Sequence, residues 1–463
     1  MFVRIDNAPR DYAWGSTTAI ARLLGRPTSG RPEAELWFGA HPGSPSRIAE
    51  PALTGGATNL AEWIARDPRT ALGSTDAGGP APGAGTPNAT GSADAAGGSA
   101  SGAGARRGAA MRRAPHLTFL LKVLAAAAPL SLQAHPSSVQ AAEGYERENA
   151  AGVPLDSPDR NYKDPFHKPE LVFALSERFE ALCGFRPLAG TIVVLDRLIA
   201  AAADAMQPTD ALTAFRARLA VQTDAPQILR GTVAWLLESG GDGADAVRAV
   251  VAEVVDAAAR VVASAESAVT AAVTDDLLPF TTVGVLASAY PGDPGIVLSL
   301  LLNRVSLKRG EALYLPAGNI HAYLHGLGIE LMSASDNVLR GGLTPKHIDV
   351  PELLHVLHFT PKPVPYLRPD LHGDNVEVFR PDVPDFRLVR VALGTDADDL
   401  DSTDARVELS GPAIALCTDG GVRLRGLRGE VTLRQGEAAY VTPDEASVTV
   451  VGDGTVFVAT SNE

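Results

Sequence analysis

Cysteine is almost missing from this chain: Cys183 and Cys417 are the two present in 463 residues. Two thiols so far apart cannot build a disulfide framework, and they are read as buried apolar groups in a reducing compartment. No secretory leader is expected either. The opening Met-Phe-Val-Arg-Ile-Asp-Asn has no basic region followed by an apolar run. Long hydrophobic runs are lacking too, because Arg, Glu and Asp interrupt even the Ala- and Val-rich stretch Val247–Val269. Nothing therefore offers the roughly 20 apolar residues of a membrane span. Basic residues are outnumbered, and a formal net charge of −14 argues against a nucleic-acid partner. A cytoplasmic monomer with neither a nucleic-acid nor a membrane partner is expected. A small phosphorylated substrate stays open, since it needs only a local basic pocket.

What is present divides into blocks, and 463 residues exceed what one core serves, so two or three domains are expected. Residues 1–72 mix short strands and a helix over Asn59–Ala65 with Asn59 as its cap. Trp14 sits at a turn in Tyr12-Ala-Trp14-Gly-Ser16, and Ala34-Glu-Leu-Trp37-Phe-Gly-Ala-His41 reads as a strand entering a turn. Residues 73–115 degrade into Gly, Ala, Ser, Pro and Thr with too little apolar bulk to offset ordering entropy. They read as a flexible surface insertion, with Arg106, Arg107, Arg112 and Arg113 solvated at its end. Leu117–Leu132 reads as two buried strands around an alanine-rich turn, the second running into Gln133 and His135. From Pro187 to Asp276 the period becomes helical, with helices at Thr191–Ala205, Thr209–Val221 and Pro226–Glu238, and one or two over Ala244–Ala271. Strand character returns at Ile296–Leu307 and continues through Met332. A short helix near Val350–His358 precedes further short strands.

The most informative stretch is Gly310-Glu-Ala-Leu-Tyr-Leu-Pro316-Ala-Gly318-Asn-Ile-His321-Ala-Tyr323-Leu-His325. A turn glycine, a strand, a Pro-x-Gly corner and a histidine on the next strand would aim one imidazole inward. A small β-barrel of the cupin type presents a metal ligand in this way. Gly436-Glu-Ala-Ala-Tyr-Val-Thr-Pro443 echoes the segment but lacks the histidine, which suggests a second barrel without metal ligands. Alternation places Gln133 and His135 on one strand face. With Glu170 and His321 they supply two imidazoles, one carboxylate oxygen and one amide oxygen, a set suited to one Zn²⁺. The weak amide ligand leaves such an ion electron-poor and able to act as a Lewis acid. A lone histidine is more often a structural hydrogen-bonding group, so the case rests on three segments in order. Lys122, Lys168, Arg340 and Lys346 fall within or beside these segments and point to an anionic, phosphorylated ligand.

Taken together the motifs resemble type I mannose-6-phosphate isomerases, also called phosphomannose isomerases. The resemblance runs through Tyr12-Ala-Trp-Gly-Ser, Ala34-Glu-Leu-Trp-Phe-Gly-Ala-His-Pro, Leu120-Leu-Lys-Val-Leu and Leu132-Gln-Ala-His-Pro. It continues in His167-Lys-Pro-Glu, Cys183-Gly-Phe-Arg, Leu315-Pro-Ala-Gly-Asn-Ile-His-Ala-Tyr and Ser335-Asp-Asn-Val-Leu-Arg-Gly-Gly-Leu-Thr-Pro-Lys-His. It implies zinc-dependent interconversion of mannose 6-phosphate and fructose 6-phosphate, with metal ligands Gln133, His135, Glu170 and His321. It further implies a catalytic Arg340, with Lys122, Lys168, Glu330, Tyr323, Lys346 and Trp14 about the pocket. Glu330, His167 and Lys168 compete as the general base. Phe166 stands where many relatives carry Asn, and the glycine-rich stretch is unusual. The expected fold is mainly β with a helical domain, comprising two cupin-type jelly-roll barrels plus an α-helical insertion. The expected division is a catalytic domain over 1–185 and 278–345, a helical domain over 186–277, and a C-terminal cupin-like domain over 346–463. A non-catalytic metal-binding bicupin, a metal-dependent oxygenase and another sugar-phosphate isomerase on the same fold are the competing readings.

Overall fold

A computed structural model of the protein describes residues 1–73, 115–221, 224–238, 240, 242–267, 275–394 and 404–462. Apart from its two end residues, the expected insertion, with Arg106, Arg107, Arg112 and Arg113, lies outside the described residues. Two ten-stranded antiparallel sheets form the frame among the described residues, and helices flank one of them, so the protein is mainly β with helices.

The first sheet turns about its longest strand, His321–Ser333. The amino-terminal half pairs with Gln133 and with Arg178–Phe185, while the carboxy-terminal half pairs with Phe119–Ala126 and Glu170–Ala174. The change of partners falls at Gly326, whose φ of 129° an L side chain rarely adopts and whose added Cβ would lie 2.9 Å from the Phe179 Cα. Glycine is thus needed there for both conformation and close approach. The bend gives this sheet an inner face as well as an outer one, and strand alternation assigns side chains to each. Along Phe119–Ala126 every residue is buried. Phe119, Leu121 and Val123 pack outward with Phe173, Ile329 and Leu331. Leu120 and Leu124 lie on the opposite face, with Lys122 between them.

The outward face packs against the second sheet through Phe379, Leu388, Ile414, Leu416, Tyr440 and Phe457. That second sheet carries its own valine-rich core, including Val389, Val391, Val448 and Val456. Phe2–Asp6 belongs to it, pairing with Ala438–Val441. The amino-terminal strand therefore departs from the expected grouping of residues 1–185. Its buried Val3 and Ile5 share the inter-sheet core, so hydrophobic closure rather than chain order places it.

Helices Leu188–Asp204, Asp210–Leu219, Ala225–Glu238, Asp242–Ser267, Leu278–Ala289 and Gly295–Ser299 occupy the sequence between Arg178–Phe185 and Leu302–Lys308. Those two flanking strands pair with each other. Helical structure thus extends past residue 277, because Phe280, Val283 and Leu286 share one core with Leu195, Leu229 and Val254. The strand expected from Ile296 is corrected as well: Gly295–Ser299 is a buried helical turn and the strand begins at Leu302. A short, wholly apolar run does not separate buried helix from strand by periodicity. Here Pro294 and the Asp293 carboxylate, accepting from the Gly295 amide at 2.7 Å, start the turn. The expected Asn59 cap is present, accepting from the Glu62 amide at 2.9 Å. Only the first of the two strands expected over Leu117–Leu132 forms there, and the second is confined to Gln133–Ala134.

Phe173 sits at the seam between the sheets, with ring centroids 5.4 Å from Phe379 and 5.0 Å from Phe457. Phe173→Ala should cost about 3–5 kcal/mol of stability in urea unfolding, the range for deleting a well-packed core aromatic. A loss below about 1 kcal/mol would mean the two sheets do not depend on this seam.

Candidate metal centre

Three strands and one corner bring the expected ligands together. Gln133 lies opposite His321 in the sheet, and Arg340 lies opposite Gln133 from the other side. Glu170 opens its strand and faces both Met332 and Leu315. The corner before His321 is tight: Gly318 has a φ of 76°, its amide donates to the His135 carbonyl at 2.8 Å, and a Cβ there would sit 2.8 Å from the His358 ring. Only glycine passes between those groups without displacing them.

His135, Glu170 and His321 are buried, and their ligand atoms all lie within 4.8 Å of one another. Nε2 of His135 is 3.2 Å from one Glu170 oxygen, and Nε2 of His321 is 3.2 Å from the other. Each imidazole is tied through its far nitrogen. His135 Nδ1 is 2.7 Å from the Asn337 carbonyl, and His321 Nδ1 is 3.0 Å from the Asn319 carbonyl. A carbonyl only accepts, so both Nδ1 atoms carry the proton and both Nε2 atoms present a lone pair. His135 Nε2 and Glu170 Oε2 are buried without a hydrogen-bond partner. Buried polar atoms are ordinarily satisfied, and a divalent cation between them would satisfy both. Gln133 reaches the same point, its amide end 3.3 Å from His321 Nε2. Half a turn about its last torsion presents the oxygen instead. The donor set fits zinc.

Electrostatics support the same reading. Burial and then the Lys168 ammonium push the His135 pKa down to about 4, so the ring is neutral near pH 7. Burial works against ionisation of Glu170, but the Lys168 ammonium at 3.0 Å outweighs it and holds its pKa well below the usual carboxylate value. A second pair lies on the same inner face, where Lys122 and Glu330 are cross-strand neighbours with Nζ and Oε2 3.0 Å apart. Burial raises the Glu330 pKa, Lys122 opposes it, and the net shift remains upward. Lys122 is itself buried, yet Glu330, Glu35 and Glu170 hold its pKa above the usual value, so it stays charged.

The other expected residues differ in placement. Tyr323 is buried against Phe179 and His321, and burial followed by the Glu330 and Glu170 carboxylates keeps its phenol protonated. Arg340 is half-buried, with no ion pair or side-chain hydrogen bond among the described residues. Trp14 stacks on Tyr12 and packs against the cluster containing Tyr323. Lys346 is exposed in the following loop, outside the buried group. His167 has both ring nitrogens engaged, by the Ser138 hydroxyl at 3.1 Å and the Asp385 carboxylate at 2.9 Å. Sequence reasoning missed Glu35, which accepts from the Trp37 indole at 2.9 Å and approaches Lys122 to 3.8 Å. It also missed the His41–Asp336 pair at 3.2 Å. The alternation of Glu35 and Trp37 in a strand next to the Lys122 strand was the available clue.

Comparison with known proteins agrees with this geometry. A sequence profile described as phosphomannose isomerase type I, catalytic domain, matches residues 2–74 and 102–188. The chain is 35% identical to a mannose-6-phosphate isomerase of Escherichia coli (strain K12), covering 97% of each, and 29% identical to the Homo sapiens enzyme of the same name, covering 88% of this chain and 87% of the relative. A crystal structure of a mannose 6-phosphate isomerase in its zinc-bound holo form superposes with a TM-score of 0.74 at 33% identity, covering all of both chains.

The depressed His135 pKa sets a sign for pH dependence in the metal-free protein. Unfolding returns the imidazole to about its ordinary 6.5, so between about pH 6.5 and 4 the unfolded chain binds the extra proton. Stability should therefore fall as pH drops through that window. The thermal midpoint of chelator-treated protein should decline across it, and His135→Gln should flatten the slope. An unchanged slope in the variant would mean His135 is not held neutral.

Proposed function

The chain belongs to the type I phosphomannose isomerase family, and from that membership we propose that it interconverts mannose 6-phosphate and fructose 6-phosphate at the inner face of the first sheet. The observation that carries the reading is the convergence of His135, Glu170 and His321, each imidazole already turned by a carbonyl to offer Nε2. Gln133 is the fourth member of the proposed ligand set. Zinc, when bound there, supplies Lewis acidity toward the sugar oxygens at C1 and C2.

The reaction requires one carbon-bound proton to leave C2 and return at C1, with hydroxyl protons exchanging between O1 and O2 across a cis-enediol. Glu330 suits the carbon-proton step. Burial raises its basicity, while the Lys122 ammonium at 3.0 Å keeps the ionised form accessible. Lys168 is committed to Glu170 at 3.0 Å, and His167 has no free nitrogen, so both suit positioning better than proton abstraction. Arg340 is assigned to hold substrate and offset developing negative charge, since no carboxylate competes for its guanidinium among the described residues. Lys346, in the exposed loop beyond it, is assigned to the phosphate. Tyr323 and Trp14 shape the wall, and Lys122 contributes positive charge beside Glu330.

The finer architecture is read in the same way. The two sheets are two cupin-type jelly rolls, and the helices form an insertion between paired strands of the first. The stretch after Pro443, Asp-Glu-Ala-Ser-Val-Thr, contains no histidine, so the second roll is read as carrying no metal ligand there. The protein is taken to act as a cytoplasmic monomer.

A coupled assay on mannose 6-phosphate tests the proposal. Turnover should vanish with chelator and return with zinc. Arg340→Ala should lose most turnover while retaining its metal, and Glu330→Gln should fall about 10²–10⁴-fold. Full turnover of metal-free protein would overturn the assignment, and a Glu330→Gln rate within a few-fold of wild type would move the base elsewhere.

A further inference from the structure

Asn337 is fully buried and lies on the loop that precedes Arg340. Its side chain uses both ends of the amide. Oδ1 accepts from the Lys163 amide at 2.7 Å and the Asp164 amide at 3.3 Å. Nδ2 donates to the Asp164 and Phe166 carbonyls, each at 2.8 Å, and to the Asp164 carboxylate at 3.2 Å. The Asp164 carboxylate closes the knot by accepting from the Ser335 hydroxyl at 2.8 Å, the Phe166 amide at 3.0 Å and the Asp336 amide at 2.8 Å. Residues 163–166 and 335–337 are thereby locked to each other. The first segment leads directly to Lys168 and Glu170. The second carries the Asn337 carbonyl, 2.7 Å from His135 Nδ1.

We propose that Asn337 is a positioning residue for the metal centre: its side chain fixes the backbone carbonyl that orients His135, and it tethers the segment that delivers Glu170. One amide thus sets the relative placement of two ligands more than thirty residues apart in sequence. Groups that orient metal-bound histidines through their second nitrogen typically alter metal affinity by about 10–100-fold when removed. The inference rests on the zinc reading above but concerns affinity rather than turnover, so the two are tested separately.

The experiment measures zinc dissociation constants by chelator competition, together with the rise in thermal midpoint on adding zinc, for full-length wild type, Asn337→Ala, Ser335→Ala and Asn462→Ala. Asn462 is another amide clamp, donating to the Pro381 and Val383 carbonyls at 2.9 and 2.8 Å just past the last strand of the other sheet. Asn337→Ala should bind zinc about 10–100-fold more weakly and gain less thermal protection from it. Asn462→Ala should lower the metal-free midpoint while leaving zinc affinity unchanged. Ser335→Ala removes the hydroxyl that donates to the Asp164 carboxylate at 2.8 Å and the Phe166 carbonyl at 3.2 Å and accepts from the Asn337 backbone amide at 3.2 Å. It should weaken zinc by a few-fold, which keeps the test available if Asn337→Ala does not fold. A folded Asn337→Ala with wild-type zinc affinity would overturn the proposal, as would unchanged affinity in Ser335→Ala where Asn337→Ala cannot be obtained. Wild type that fails to bind zinc would instead overturn the functional reading on which it rests.

Discussion

A carboxylate buried between two imidazoles is the constraint on which the rest of this structure depends. Glu170 is ionised in a low-dielectric interior, with a histidine nitrogen 3.2 Å from each of its oxygens. Each ring lies against a backbone carbonyl through Nδ1, which turns its Nε2 toward the carboxylate. Lys168 compensates one side only. Such an arrangement is costly for a metal-free core and well matched to a divalent cation, whose charge satisfies three lone pairs at once.

The same constraint explains the backbone. Delivering ligands from three separate strands to one point requires a sheet that curves, and the strand His321–Ser333 changes partners at Gly326 to produce that curve. The outer face then needs cover, which the second sheet and the helices provide. Inside, two lysines face three carboxylates, Glu35, Glu170 and Glu330. Fully ionised, that interior carries one negative charge, and a divalent ion reverses its sign. Arg340, which has no ion pair among the described residues, adds to the positive charge that a bound metal would supply.

Much of this was legible in residues alone, for identifiable reasons. The Pro316-x-Gly318 corner and His321 could be read because a left-handed glycine and an inward histidine leave a local pattern. Lys122 and Glu330 could be nominated from their motifs, but their pairing could not, since cross-strand register appears only when strands are placed. Glu35 and Asn337 escaped because their work is done by contacts across the fold, a salt bridge in one case and bonds to distant backbone in the other. The pairing of Phe2–Asp6 with the second sheet leaves no local mark, because its partner lies at the far end of the chain. The strand expected from Ile296 begins instead with a buried helical turn, because so short an apolar run carries no period.

Anomalous diffraction at the zinc edge from crystals of the active protein tests the central claim most directly. The account predicts one strong peak on the inner face of the first sheet, with Nε2 of His135, Nε2 of His321 and a Glu170 oxygen each at about 2.0–2.2 Å. A catalytically active crystal with no peak there, or with its zinc bound by other residues, would contradict it.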